Sequence, residues 1–390
     1  MSRGKPLIFK MQISPLTFLS IAIEFCVEIK NNIMKTSFIK RISAILIATS
    51  ILASCSKSSN SSTTETPATI YVGGYTYESA NFGEVIWKNG VEQKVFDSTL
   101  MPSSGYVRYP GAIYDLDIEN DKVYAAWKLS YKALSAYYPT AKTYLWKNSS
   151  NTLLIDNDYN VNPKAIDVSG TDIYFGGFYT NTYEYPSIWK NNVRTQLPGG
   201  TGTVNDLYVN NLDIFAVGSL SANTTAAYWK NGVLTSLATG NGYSANGIAY
   251  FNNDIFVAGE GKLGGVNDNR SALIWVNGVQ QKLTTPSSQQ GAAANSIALS
   301  STKICVAGYA YSGSDQRATV WINGTPTLLS TSESMAYAVA IKDNTVYVVG
   351  YEKPNNYYRA KLWKITATNT ESINLSNGTA DAKAYSIKVK

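Results

Sequence analysis

Residues 226–240 read AAYWKNGVLTSLATG, and the same outline returns as ALIWVNGVQQKLTTP at 272–286 and ATVWINGTPTLLSTS at 318–332. In each copy a short apolar run ends in Trp, an Asn-Gly follows, and a second strand-like run comes next. Asn-Gly provides the two positive φ angles of a tight hairpin turn, so each copy reads as two antiparallel strands. A Trp that recurs at one point of a strand pattern is expected in the core, filling the space between neighbouring sheets.

Upstream of every such Trp lies a second recurring run: TIYVGGY at 69, KVYAAWK at 122, DIYFGGF at 172, DIFAVGS at 213, DIFVAGE at 254, KICVAGY at 303 and TVYVVGY at 345. The Trp residues that follow are Trp87, Trp146, Trp189, Trp229, Trp275, Trp321 and Trp363. Asn-Gly recurs at Asn89-Gly90, Asn231-Gly232, Asn277-Gly278 and Asn323-Gly324, softened to Asn191-Asn192 and Asn148-Ser149, while the last repeat departs with Lys364-Ile365. A further run such as ANGIAYF completes four strands per repeat. Seven repeats over residues 70–390 average about 46 residues each, the length of a propeller blade.

The expectation is therefore an all-β fold, a seven-bladed β-propeller of four-stranded blades over residues 69–390. With ANGIAYF-type runs taken as innermost strands, the first repeat starts at its second strand. Its missing inner strand is expected from AYSIKVK, Ala384 to Lys390, so the C-terminal strand closes the ring. IYVGGY followed by a downstream Trp resembles the kelch class of propeller repeat, whose Gly pair is kept at Gly73-Gly74 and Gly176-Gly177. That resemblance implies the fold and no function.

The amino-terminal part reads as an address. From Met34 a basic start with Lys35, Lys40 and Arg41 precedes an apolar run from Ile42 to Leu52, too short to span a bilayer comfortably. It ends in Leu52-Ala53-Ser54-Cys55, which resembles the lipobox of bacterial lipoproteins. The resemblance implies a signal peptide over 34–54, lipidation at Cys55, a membrane anchor and a cell-envelope location, in the outer membrane. Residues 55–68 are polar and low in complexity, as a flexible tether would be. Residues 1–33 contain an apolar stretch interrupted by Glu24 and Glu28 and are read as an upstream extension from a misassigned start.

Charge and composition narrow the function. The formal charge of +6 comes from the first 57 residues, which hold eight Lys and Arg against two Glu; from Ser58 onward there are 25 of each sign. A balanced body lacks the electrostatic footprint of a nucleic-acid binder. There is no histidine, the commonest general base and metal ligand, and only three cysteines, so no cofactor and no metal site is expected. Cys305 stands where other repeats carry Tyr or Phe and reads as a small buried hydrophobe.

The tight turns of each repeat fall on one rim of the ring and the loops of variable length on the other, which makes the second rim the candidate binding face. Aromatic residues gather there: Tyr75, Phe178, Tyr309 and Tyr351 follow the strand-ending Gly, and loop tyrosines such as Tyr106, Tyr109 and Tyr358 add to them. Arg270, Arg317 and Arg359 enter the Trp strand in three consecutive blades and form a candidate anion clamp, with solvated pairing to Asp268 and Asp315 as the competing expectation. Asp115, Asp117, Asp167 and Asp206 lie on inner strands and are expected to bond backbone rather than a channel ion. The role expected is a monomeric, non-catalytic binding or scaffold protein with a glycan or protein as its ligand. The alternative is a carbohydrate-active enzyme, a glycoside hydrolase or lyase, on the same face; its carboxylates would come from Glu78, Glu84, Glu184, Glu260, Glu333 and Glu352, and no pair stands out.

Overall fold

The computed structural model describes residues 67–390, apart from 79–80, 102–104, 110, 138, 157, 159, 222–223 and 265–267. The upstream extension, the signal peptide, Cys55 and nearly all of the tether lie outside the described residues. Those residues form seven antiparallel sheets, six of four strands and one of five. The chain is a seven-bladed β-propeller. Its first blade takes its innermost strand, Ala382–Val389, from the C-terminus. Ile70 pairs with Val389 and Val72 with Ile387, and Thr69 and Lys390 exchange both backbone hydrogen bonds at 2.9 Å.

Apolar faces are buried between blades, not within them. Val72, Val85 and Trp87 of blade one pack with Tyr347, Val349 and Leu362 of blade seven, and Phe215, Val217 and Ala226 of blade four pack with Val257, Leu273 and Trp275 of blade five. All seven repeat Trp residues are at most 4% exposed, so the repeated indole is core. The first Asn of each turn after Trp has φ between 44° and 51°. Its side-chain Oδ1 also accepts the N–H that opens the second strand of its own blade: Asn89 from Ile70, Asn148 from Val123, Asn191 from Ile173, Asn231 from Ile214, Asn277 from Ile255 and Asn323 from Ile304. The Asn therefore both shapes the turn and fastens it to the adjacent strand.

Six blades carry a β-bulge at the same place in the inner strand, with Tyr385, Lys164, Asn205, Asn246, Asn295 or Tyr337 as the extra residue. The bulge brings the carbonyl two residues earlier against the facing second strand. A β-carbon there would overlap it at Gly74, Gly177, Gly218, Gly259, Gly308 and Gly350, which is why the second strand carries Gly at this point in those six blades. The strand does not end there, as the sequence suggested, but runs two to four residues further. Blade two is the exception. Its inner segment Asp117–Glu119 pairs only with Lys122–Tyr124, a separate strand Tyr106–Tyr109 pairs with Ser130–Ala133, and residues 111–116 between them form no strand. With no bulge carbonyl to avoid, the Gly position holds Trp127, fully buried and stacked on Tyr144.

Candidate binding site

A bulge releases one side chain from the in-out alternation of its strand. Here the six bulged residues, joined by Tyr114 of blade two, line one cavity of about 390 Å³ where the inner strands converge. Each bulge lies near the start of its inner strand, so this is the end of the channel that opens on the rim of variable loops. In ring order from blade two the residues are Tyr114, Lys164, Asn205, Asn246, Asn295, Tyr337 and Tyr385, which splits the mouth into an amide arc, an aromatic arc and one lysine.

The amide arc is fixed from blade to blade. The Nδ2 of Asn205 donates to the carbonyl of Ala245 at 3.0 Å, that of Asn246 to Ala294 at 2.9 Å and that of Asn295 to Ala336 at 2.8 Å. Lys164 reaches the Oδ1 of Asn205 at 3.5 Å. In the aromatic arc the ring of Tyr337 lies edge-on to Tyr385 with centroids 4.7 Å apart, and Tyr385 and Tyr114 are 5.3 Å apart. Burial, followed by the surrounding phenols, raises the pKa of Tyr337 and Tyr385, and burial followed by Glu84 raises that of Tyr114. All three phenols therefore keep their protons at neutral pH and can donate hydrogen bonds.

At the mouth and below it four aspartates bond to backbone, Asp117, Asp167 and Asp206 from inner strands and Asp115 from the segment of blade two that forms no strand. Asp115 accepts from Ile166 N–H at 3.0 Å, Asp117 from Val168 at 2.9 Å, Asp167 from Val209 at 2.7 Å and Asp206 from Ile248 at 2.9 Å. Each carboxylate thus ties its blade to the next. Burial pushes Asp167 and Asp206 up to about 7, each helped by a neighbouring aspartate. Burial opposes the charge of Lys388, but the four carboxylates around it outweigh that and raise its pKa. No group of three or more acidic or sulfur ligands spaced for a metal ion occurs among the described residues.

The gap in blade two opens a second, lateral cavity of about 590 Å³. Lys128, next to Trp127, faces it together with Lys164, Glu184, Tyr109, Tyr114 and Phe178. Tyr114 and Lys164 line both cavities. Lys128 donates to Asn162 Oδ1 at 2.9 Å. Burial lowers its pKa to about 8 against the pull of Asp158, and burial likewise lowers Lys164 against Glu184.

The aromatic residues expected from sequence converge on this region in part. Phe178 lines the lateral cavity. Tyr75 lies 6.0 Å from Tyr385 and Tyr351 lies 6.0 Å from Tyr337, both buried behind the mouth as supports. Tyr309 packs instead on Tyr311, with the hydroxyls 3.3 Å apart. The three arginines line neither cavity. Arg270 binds Glu260 at 2.6 Å, and Arg317 binds Asp315 at 3.3 Å and the Gln316 carbonyl. Arg359 sits opposite Glu352 across the strand pair and packs against Gly378. Among the glutamates, Glu84 is paired with Arg108, Glu352 with Lys361 at 3.4 Å and Glu333 with Lys353 at 3.6 Å. Cys305 is buried, which pushes its thiol up to about 12 and leaves it protonated.

Sequence reading missed the bulged residues themselves. Their shared mark is a Tyr, Lys or Asn followed by a small residue or Asp and then Ile, Leu or Val, as in Asn246-Gly247-Ile248 and Tyr337-Ala338-Val339. The Gly across each inner strand pair is a second mark, since an isolated Gly in a strand signals a bulge or a close backbone approach.

No protein-family model matches the sequence, and no curated protein matches it. Among solved structures it is similar to a prolyl endopeptidase (10% identity over 83% of this chain and 50% of that one, TM-score 0.48). It is similar also to the acylaminoacyl peptidase of Pyrococcus horikoshii (13%, 69% and 46%, TM-score 0.43) and to TolB of Acinetobacter baumannii (10%, 81% and 65%, TM-score 0.41). The chain spans about half the length of the two peptidases.

Proposed function

We propose that this chain is a lipid-anchored protein of the bacterial cell envelope that binds a glycan, without catalysis, at the channel mouth. The observation behind this reading is the ring of seven side chains around one cavity, six of them directed there by bulges and the seventh, Tyr114, by the strandless segment of blade two. Fixed amides suit the hydroxyl groups of a sugar, and tyrosine faces suit its apolar C–H surface while their O–H tips donate. Non-catalytic binding is favoured because the channel aspartates are committed to backbone N–H groups and most loop glutamates to cations. The anchor rests on Leu52-Ala53-Ser54-Cys55 after the apolar run. Outer-membrane placement and a monomeric state belong to the same reading.

Titration calorimetry with the chain from Ser58, which contains the whole closed ring, tests the site against a panel of neutral and acidic oligosaccharides. Binding that disappears in Asn246→Ala and in Tyr385→Ala, with melting temperatures retained, is the result expected. A glycan that binds both variants as well as the parent places the site elsewhere. The anchor is tested separately by metabolic labelling with a fatty acid: Cys55→Ala loses the label, and an equally labelled variant would remove lipidation from the proposal.

A further inference from the structure

We infer that the gap in blade two is a subsite for the anionic group of a charged glycan, with Lys128 and Lys164 supplying the positive charge and the channel mouth holding the adjoining neutral sugar. The inference rests on the glycan reading of the mouth and deepens it by naming the ligand class.

The argument starts from where the repeat breaks. Six blades keep an unbroken inner strand with a bulge and a facing Gly. Blade two replaces that Gly with Trp127, loses the strand over residues 111–116, and so exposes Lys128 to a cavity. The space, about 590 Å³, falls within the range of small-molecule sites. Two ammonium groups line it against one carboxylate, Glu184, with Asp158 close enough to act on Lys128. Tyr109, Tyr114 and Phe178 add apolar surface of the kind a pyranose ring packs on.

The electrostatics of the lysines point the same way. Lys128 and Lys164 each donate to an amide oxygen, of Asn162 and Asn205, and burial works against the charge of both. An arriving carboxylate or phosphate oxygen would offset that cost through charge-assisted hydrogen bonds in a partly desolvated site. Continuity supplies the second half of the ligand. Lys164 and Tyr114 stand in both cavities, so a sugar whose anion lies in the gap carries its neighbouring residue over the channel mouth. The shared chemistry is an oxyanion on a sugar, and its two sources are a uronate and a sugar phosphate.

The test is calorimetry on the chain from Ser58 with galactobiose, digalacturonate and galactose 1-phosphate, repeated for Lys128→Met, Lys164→Met and the double variant. Methionine keeps the unbranched aliphatic stem to within one atom and removes a buried charge, and circular dichroism with a thermal melt checks the fold. One anionic probe should bind about ten-fold more tightly than galactobiose, as a charge-assisted contact predicts. The advantage should shrink with added NaCl and vanish in the double variant. Preference for digalacturonate assigns the subsite to a uronate, and preference for galactose 1-phosphate assigns it to a phosphate; either upholds the inference. Galactobiose binding that Asn246→Ala abolishes, with no anionic preference, overturns the subsite and leaves the glycan reading standing. An anionic preference that survives in the folded double variant also overturns it. Absence of binding by all three probes removes both.

Discussion

The α-carbon of Gly218 faces the carbonyl of Thr203 so closely that any β-carbon at that position would overlap the oxygen. Thr203 lies two residues before Asn205, the bulged residue of blade four. The glycine in the second strand and the side chain at the channel mouth are therefore two ends of one device: the bulge turns Asn205 toward the axis, and Gly218 makes room for the backbone that the bulge displaces. Gly218→Ala should force the strands apart and lower stability by about 2–3 kcal/mol, the scale of overpacking. Gly232→Ala, in a turn where a β-carbon meets open space, is strained only by its φ of 80° and should cost about 1 kcal/mol. Urea denaturation of both variants measures the difference, and equal losses would dissociate the glycine from the bulge.

Ring closure gives a second prediction. Deleting Ala384 to Lys390 removes the paired strand of blade one, including Ala384 and Ile387, both buried in the contact with blade seven. A buried aliphatic side chain is worth about 1.5–3 kcal/mol. The two freed edges also expose unpaired backbone, so the truncated chain should lose several kcal/mol and become prone to edge-to-edge association. A thermal melt with light scattering reads both effects. An unchanged melting temperature would contradict the closure.

The buried aspartates make stability depend on pH in a defined direction. Asp167 and Asp206 hold their protons up to about 7 in the folded chain, against an ordinary value of 3.8. Between those values the folded state binds more protons than the unfolded state, so unfolding releases protons and stability falls as pH rises. Their contribution is full below about pH 4 and is lost as pH rises through about 7. One pKa unit corresponds to about 1.4 kcal/mol, so shifts of this size remove on the order of 4 kcal/mol for each group across that range. Asp206→Asn should lose stability overall, because Asp206 accepts both Ile248 and Leu207 N–H, yet show a smaller fall between pH 5 and pH 8. Urea titrations at the two pH values measure this, and an identical fall in variant and parent would exclude Asp206 as a contributor.

The features legible in the sequence are those repeated with the same chemistry. Trp at one strand position, Asn in the following turn and a C-terminal run that matched a missing inner strand sufficed to place seven blades and their closure. The channel mouth was not legible in the same way, because six of its positions share a backbone geometry and not a residue type: two tyrosines, three asparagines and a lysine sit at the same bulge, while Tyr114 reaches the mouth from a segment without a strand. The arginines show the converse. Arg270, Arg317 and Arg359 align in sequence, but each has a different local partner, Glu260 on the neighbouring strand, Asp315 in its own hairpin or Gly378 in the following loop, so alignment did not bring them into one pocket. The lateral cavity was legible only as a departure, the Trp127 standing where six other blades keep Gly.

That contrast yields the last prediction, which separates the two candidate sites. Replacing Arg270, Arg317 and Arg359 together by Ala removes the clamp expected from sequence and leaves both cavities intact, since none of the three lines either. Arg317 loses a part-exposed ion pair worth about 1 kcal/mol or less, whereas Arg270 pairs the largely buried Glu260, and its loss should cost about 3 kcal/mol, so a thermal melt accompanies the binding measurement. Asn205→Ala with Asn246→Ala does the reverse: it cuts the amide arc, loses the bonds to Ala245 and Ala294, and should cost about 1 kcal/mol per hydrogen bond. If the channel mouth is the site, the arginine variant retains glycan affinity within about two-fold and the asparagine variant loses it, with both folded by circular dichroism. The opposite pattern, affinity lost with the arginines and kept without the asparagines, returns binding to the outer loops and makes the bulge ring a structural device only.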